Sequence, residues 1–527
     1  MTATDTAYRS GVTPRRDGFP AMVRAEWTKF RTVRGWVIGM AVAGLVTVLM
    51  SLLGTVGNGS PCRSGPNADQ PCAPPIGPAG RAVSDRFFFV HQPLEGDGSI
   101  TVRVTSLTGH LPTGTPGSGG AMPEMRSGVE AWAKAGLIVK ATTAQGSSYA
   151  AVMATGAHGT RMQYDYTHDT AGNTGLVSAQ SPRWLRLTRT GSKITGYESS
   201  DGVHWSEVDS VTPAGLPSTV SVGLFVASPD YEVTEQHLGS LGSMSGPTDA
   251  TAVFDNLTLQ GPQPGGTWIG DAVGEGFGAP RGEGQDYNQA AGTFTISGSG
   301  DIAPAVGGPD HNTVEGSLVG AFAGLIVMVV LGTRFMTAEY RRGLIRTTLA
   351  AYPRRGRMLA AKATVLGVVT FVTGLAASTT AYLLVGHLRR SHGEAILPVS
   401  SLTVLRVVVG TALLLAVAAV LALAVGTLLR RSAGAVAAVI VLIVLPYILA
   451  VASVLPAGAG NWLLRLTPAA AFAIQQSLPR YSQVNTSGYV PTAGYFPLAP
   501  WAGFAVLVAW AALALGLAAV LLRRRDA

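Results

Sequence analysis

A chain of 527 residues with 47% hydrophobic side chains, only 13% charged ones and a mean hydropathy of +0.31 cannot keep that much apolar surface in water, so part of it belongs in lipid. The formal charge of +8 is unevenly spread: residues 57–316 hold 13 basic and 24 acidic side chains, the remainder 25 basic and 6 acidic. The basic residues flank long apolar runs and form no recognition motif, so membrane flanks are expected and no nucleic-acid partner.

Residues 1–20 read as a disordered cytoplasmic tail. In the segment 21–56, MVRAEWTKFRTVRGW places Val23, Trp27 and Phe30 on one helical face with Arg24, Lys29, Arg31 and Arg34 around the rest. Such a helix lies in the headgroup plane, apolar side down. Six uncharged stretches are long enough to span the bilayer: Trp36–Val56, Ser317–Thr333, Ala363–Leu384, Val407–Leu429, Ala433–Leu455 and Trp501–Leu522. The first begins too far in, and is too long, for a signal peptide, and reads as an uncleaved anchor.

Orientation follows the arginines. Residues 1–35 hold seven basic side chains, and 334–362 hold eight against the single acid Glu339; Arg430, Arg431 and Arg523 to Arg525 flank later spans. Both termini and the loop 334–362 are therefore expected in the cytoplasm of a multi-pass plasma-membrane protein, with residues 57–316 extracellular. Arg389 and Arg390 then fall outside, the one exception. Cys62 and Cys72, in PCRSGPNADQPC, would form a small disulfide loop on that oxidising side; two free thiols are the other reading.

Residues 57–316 are rich in Gly, Ser and Thr. SITVRVTSL, AGLIVKAT, TRMQYDY, RWLRLTRTG, KITGYESS, VSVGLFVAS and AVFDNLTLQ each read as strands between turns, which predicts an all-β sandwich or jelly roll inserted between spans 1 and 2. EGDG at 95–98 reads as a hairpin turn. Trp132, Trp184, Trp205 and Trp268 could stack on sugars or simply fill the core. The spacing of Asp97, Asp201 and Asp255 does not support a calcium site, and no metal is expected.

In the loop 334–362, Thr337 reads as a helix cap with Glu339 in the first turn, Pro353 as the helix end, and Ala360–Lys362 as the lead into the third span. A short helix held between two spans makes a lever. The spans hold almost no ionisable residues away from their ends, which argues against an ion-coupled carrier. Pro446 should kink the fifth span, as gating geometry or as tolerated packing. In 456–500, NWLLRLTPAAAFAIQQ is apolar, broken by Pro468 and too short to cross, as a re-entrant hairpin would be.

None of the five lysines (Lys29, Lys134, Lys140, Lys193, Lys362) lies in a phosphate-cradling GxxxxGK[ST] loop. The chain is therefore read as no enzyme and as binding no cofactor. ATP and Mg would sit in a separate ATPase subunit, and six spans suggest half a pore, hence a second permease copy or a homologous permease.

EWTKFRTVRGW, EYRRGLIRTTLAAYPRRGRMLAAK and the closing RRR resemble type 2 ABC export permeases of high-GC bacteria, over the first 56 residues and everything after about residue 315. In that family the entry helix and first cytoplasmic loop contact the ATPase. The resemblance implies coupling roles for Trp27, Glu339, Tyr340, Arg341, Gly343, Arg346, Pro353, Arg354 and Arg355; the arginines could instead only enforce topology. FFFVHQPLEGDGSITVRVTSL, AKAGLIVKA, RWLRLTRTGSKITGYESSDGVHW and VGLFVASP resemble bacterial concanavalin-A-like (laminin-G-like) domains from about Ser84 to Leu259. GTFTISGSGDI, which normally precedes the FFFV strand there, comes here at Gly292–Ile302, implying a circular permutation or a partial second repeat. SSDGVHW at Ser199–Trp205 resembles the Asp-box hairpin, where Asp caps a turn over a packed Trp. The related β-glucanases' ExDxxE strand is absent. The expected function is the membrane subunit of an ATP-driven exporter of an unidentified substrate, with a sandwich that guards the exit, receives cargo or binds cell-wall polysaccharide. The alternative is a membrane-anchored carbohydrate-binding or sensor protein.

Overall fold

A computed structural model describes residues 18–56, 74–113, 124–237, 240–262, 266–274, 286–306, 313–341, 343, 354–392, 394, 396–452, 455–485 and 489–524. Cys62, Cys72, Arg346 and Pro353 lie outside them.

The six apolar stretches become six helices long and apolar enough to cross a membrane. A preceding helix, α1 (Phe19–Thr32), starts just before the expected boundary with Pro20 in its first turn, where a missing N–H costs nothing. The spans are α2 (Arg34–Val56), α3 (Ala321–Arg341), α4 (Arg355–Ser391), α5 (Ser401–Leu429), α6 (Ser432–Val451) and, after a short helix α7 (Ala457–Leu466), α8 (Pro500–Arg524). The central span is α5, apolar all round and packed against α3, α4 and α8. A Cβ on Gly320 would sit 2.0 Å from the Thr47 carbonyl, so glycine there, at the start of the second span, lets it meet α2 backbone to backbone. Thr47, Thr411 and Thr427 satisfy their hydroxyls by donating to carbonyls four residues back, at 2.8–2.9 Å.

Pro446 is accommodated by a single π turn, Ile440–Val444, in which Leu445 N–H donates to the Ile440 carbonyl. The wider turn absorbs the proline without ending the span. The segment after Pro456 folds as α7 and a 3-10 helix (Pro468–Gln475) against α8 and α5. Trp510 Nε1 donates to the Leu466 carbonyl at 3.0 Å, closing the end of α7.

Thr337 does not cap a helix. The span that precedes it runs unbroken to Arg341, its Thr337 hydroxyl donates to Thr333 O at 3.0 Å, and Glu339 sits in the last turn. The buried Phe335 and Met336 carry the helix through.

Residues 83–304 form a separate β-rich region of nineteen strands among the described residues. They are β1 (Val83–Asp85), β2 (Phe87–Glu95), β3 (Gly98–Thr113), β4 (Glu124–Ser127), β5 (Lys134–Lys140), β6 (Tyr149–Thr155), β7 (Thr160–Tyr164), β8 (His168–Ala171), β9 (Arg183–Thr190) and β10 (Lys193–Ser199). There follow β11 (Ser206–Val211), β12 (Thr219–Ala227), β13 (Tyr231–His237), β14 (Ser240–Gly246), β15 (Asp249–Gln260), β16 (Ile269–Val273), β17 (Asp286–Ala290), β18 (Thr293–Gly298) and β19 (Ile302–Pro304). One sheet runs β11-β10-β9-β3-β15-β18-β17, with β4 on β3; the other runs β16-β2-β12-β5-β6-β7-β8.

Val102, Leu185, Ala252, Phe254 and Ile296 of the first sheet face Val90, Leu137, Val152 and Val222 of the second in one apolar core. The second sheet also buries Phe89, Ile138, Tyr149, Met153 and Phe225 on its other side, under Val83, Tyr166 and Ile302. A sheet buried on both faces explains why YAAVMAT in β6 shows no alternation.

The late segment from Gly292 belongs to this sandwich, since β18 pairs antiparallel with β15, Phe254 opposite Phe294. EGDG is not a hairpin turn: β2 and β3 lie in different sheets, so Gly96 (φ +65°) and Asp97 carry the chain across the sandwich. SSDGVHW does close a hairpin, β10 to β11. The Asp201 carboxylate accepts from the Val203 and His204 amides at 2.8 Å each, and His204 Nδ1 pairs with its other oxygen at 2.7 Å. The His204 side chain, then these amides, hold the Asp201 carboxyl well below the ordinary carboxylate range. The cap is therefore intact above pH about 4 and lost only as pH falls through the depressed folded value. Asp201→Ala should speed amide exchange over residues 199–206 by ~10-fold or more, read by hydrogen-exchange mass spectrometry of the full chain; unchanged protection there would show that the carboxylate holds nothing.

Candidate functional site

The first helix is short and amphipathic. Met22, Glu26 and Phe30 are buried, whereas Trp27 is 44% exposed and stacks flat beside Phe30. A glutamate on the buried side of an entry helix requires a cation, and α4 supplies it. Lys362, fully buried one turn past Met358, donates to Glu26 Oε2 at 2.7 Å and to Glu339 Oε1 at 2.7 Å. Lys29, one turn along α1 from Glu26, closes the group on Glu339.

Two carboxylates and two ammoniums thus join α1, the last turn of α3 and the first turns of α4. Burial disfavours the charge on Lys29, but the hydrogen bond and attraction of Glu339 outweigh it and hold the ammonium above its ordinary value. Phe30, Trp36, Phe335, Met336, Met358 and Leu359 wrap the group. Phe335 packs edge-on against Phe30 and Trp36 at 5.9 and 5.3 Å, and its ring lies 5.1 Å from Lys362 Nζ. Neutral overall and largely enclosed, with Glu339 Oε2 left without a hydrogen-bond partner, such a group holds while complete and is costly when broken.

The neighbouring helix ends are tied to the same junction. The Arg430 guanidinium, at the left-handed end of α5 (φ 56°), lies 5.2 Å over the Tyr340 ring. Arg355 Nη1 donates to the Leu522 carbonyl of α8 at 2.7 Å. Five helices therefore meet at one end of the bundle through ionic, cation–π and carbonyl contacts. This arrangement ties the helix ends to one another.

Of the sequence-derived coupling residues, the structure brings Glu339, Tyr340 and Arg355 into the junction. Trp27 lies at its rim, Arg341 ends α3, Gly343 follows with φ +65°, and Arg354 precedes α4. Sequence reasoning missed Glu26, Lys29 and Lys362. The available signal was that two of only five lysines lie in the same two basic segments as Glu26 and Glu339.

The four tryptophans are held by the sandwich. Trp132 is buried and stacks on His158 at 4.0 Å. Arg186 covers the Trp205 ring at 3.9 Å, Arg103 lies 5.7 Å from Trp184, and Trp268 packs edge-on to Phe294. Asp255 grips Arg103 with both oxygens, and Asp97 accepts from the Gly191 amide.

The sandwich also touches the bundle. Gln483 donates to the Tyr166 carbonyl at 3.1 Å and Asn485 to Glu130 at 3.3 Å, while Ala82 packs with Leu397, Leu478 and Tyr495.

No curated protein matches the chain. Among solved structures, "a functionally unknown protein from Saccharomyces cerevisiae" is 14% identical, covering 33% of this chain and 74% of its own, with a TM-score of 0.18. A Scytalido-glutamic peptidase with a peptide-based transition-state analog is 9% identical, covering 41% of this chain and 98% of its own, with a TM-score of 0.22. Likenesses at those scores carry no argument about function. A family model described as ABC-2 family transporter protein matches residues 129–527, from within the sandwich through all the later spans to the end of the chain. Together with six helices able to span a bilayer, that match settles the class: the chain belongs to the ABC-2 family of transporter proteins, as a membrane protein.

Proposed function

We propose that this chain is the permease subunit of an ATP-driven exporter in the plasma membrane, and that the Glu26–Lys29–Glu339–Lys362 junction transmits force from a separate ATPase subunit. The observation that carries this reading is the buried ion group fastening an amphipathic entry helix to the ends of two spans. A push on α1 or on the segment after Glu339 cannot be absorbed locally, because moving one member strands the others' charges in an apolar surround. The ATPase would hold ATP and Mg, and a second permease would complete the pore. Trp27, Tyr340, Arg341, Gly343, Arg346, Pro353, Arg354 and Arg355 are the residues proposed to meet or carry that push.

The arginine distribution supports cytoplasmic termini, a cytoplasmic 334–362 loop and an extracellular 57–316 region, with Cys62 and Cys72 forming a disulfide there. We read the sandwich as concanavalin-A-like and circularly permuted, a reading supported by β18 lying beside β15. Its partner on the cell surface would be exported cargo or wall polysaccharide. The alternative of a lectin-like sensor is less favoured, because Arg186 covers a stacking face of Trp205 and Trp132 is buried.

The test is affinity purification of the tagged chain. An ABC ATPase should copurify, and Glu339→Gln should leave it bound while lowering its permease-stimulated ATP hydrolysis in liposomes by roughly five- to tenfold. Recovery of the wild-type chain with no ATPase, or full stimulation by the Gln variant, would remove the coupling reading.

A further inference from the structure

A second feature of the same end of the bundle shares Arg354 and Arg355 with the coupling reading but adds Arg357 and Arg523, which that reading does not use. Where α4 begins beside the end of α8, a cavity of about 520 Å³ is lined by Arg354, Arg355, Gly356, Arg357 and Arg523. Its charged lining is all of one sign. Arg355 is committed in part to the Leu522 carbonyl, which fixes the two helix ends together. Arg523 lies over the backbone of Gly356, its Nη2 3.4 Å from where a side chain would begin, so glycine leaves the space open. Among the described residues no carboxylate pairs with Arg354, Arg357 or Arg523. Guanidiniums this close repel one another, and an anion between them removes the repulsion.

The depth of the cavity selects the anion. The last span is uncharged from Trp501 to Leu522, so Arg523 falls where the hydrocarbon gives way to headgroups. Two exposed lanes run from the cavity towards the middle of the spans. On α8, Val520, Leu517 and Leu513 are 46%, 50% and 58% exposed; on α4, Ala360, Thr364, Val368 and Val372 are exposed at helical spacing from Arg357.

We propose that the cavity binds the phosphate of an anionic phospholipid, with its two acyl chains along these lanes. A second copy of the chain is disfavoured as the occupant, because a twofold contact would set arginine against arginine. The proposal rests on the chain being a membrane protein and not on ATPase coupling.

The experiment is native mass spectrometry of the full chain in detergent, titrated separately with phosphatidylglycerol and phosphatidylcholine. Phosphatidylglycerol should bind at least tenfold more tightly. Arg357→Gln with Arg523→Gln should weaken it by ~10- to 30-fold, while Arg431→Gln, elsewhere on the chain, should leave it unchanged. Millimolar inorganic phosphate should fail to displace the lipid. Equal affinity for the two lipids in the wild-type chain, which needs no variant, overturns the proposal. So does a double variant that binds phosphatidylglycerol as the wild type does, displacement by free phosphate, or a lipid-free dimer as the species that closes the site.

Discussion

Lys362→Met is expected to destabilise the bundle by about 3–5 kcal/mol, the usual consequence of removing one partner from a buried ion pair. Lys362 is the fully buried member and the only one that touches both carboxylates, so its loss leaves Glu26 without a cation and Glu339 with Lys29 alone. Methionine fills much of the same volume, so the loss reports charge rather than a cavity. Adding Glu26→Gln, Glu339→Gln and Lys29→Met to Lys362→Met should recover most of it, because with all four charges gone a neutral group of similar shape strands nothing. The measurement is the unfolding midpoint of the full chain in detergent, compared as a mutant cycle. Additive losses with no recovery would mean that the four residues do not act as a unit.

The second large effect is expected in the sandwich. Asp85, fully buried in β1, accepts at Oδ2 from Lys140 Nζ at 2.8 Å, Tyr166 Oη at 2.7 Å and the Gly146 amide at 2.8 Å. Asp85→Ala would leave the Lys140 ammonium enclosed without its counter-charge and should also cost about 3–5 kcal/mol. Burial, the largest influence, outweighs the attraction of Asp85 and holds the Lys140 pKa below its ordinary 10.5. A lysine depressed in this way regains folded-state stability as pH rises above its folded pKa, and has regained all of it above its unfolded pKa. At neutral pH the charged form is therefore a standing cost, and the variant's defect should shrink as pH rises towards 10. A defect that is independent of pH would place the loss in the hydrogen bonds alone.

Much of this fold was legible in the sequence, for a physical reason that differs between its two parts. Spans need only length and an absence of charge, and all six stretches became helices. The seven strings read as strands all contain strands, because alternation survives where one sheet face is less enclosed, as in RWLRLTRT of β9. Legibility failed where a local rule met a distant partner. Thr337 carries a cap residue's chemistry, but back-bonding to Thr333 satisfied it inside a helix. EGDG carries a turn's chemistry, which is the same whether the chain doubles back or crosses to the other sheet. The burial of Glu26 on the entry helix is not legible from its own segment. Its cation, Lys362, comes from more than three hundred residues away.

The pairing of β1 with β19, Val83 opposite Pro304 and Asp85 opposite Ile302, brings the two ends of a region of more than 200 residues side by side. The chain therefore enters and leaves the sandwich side by side. Deleting everything between those strands and bridging the gap with a few residues should leave the six spans free to assemble, as a bud can be cut from its stem.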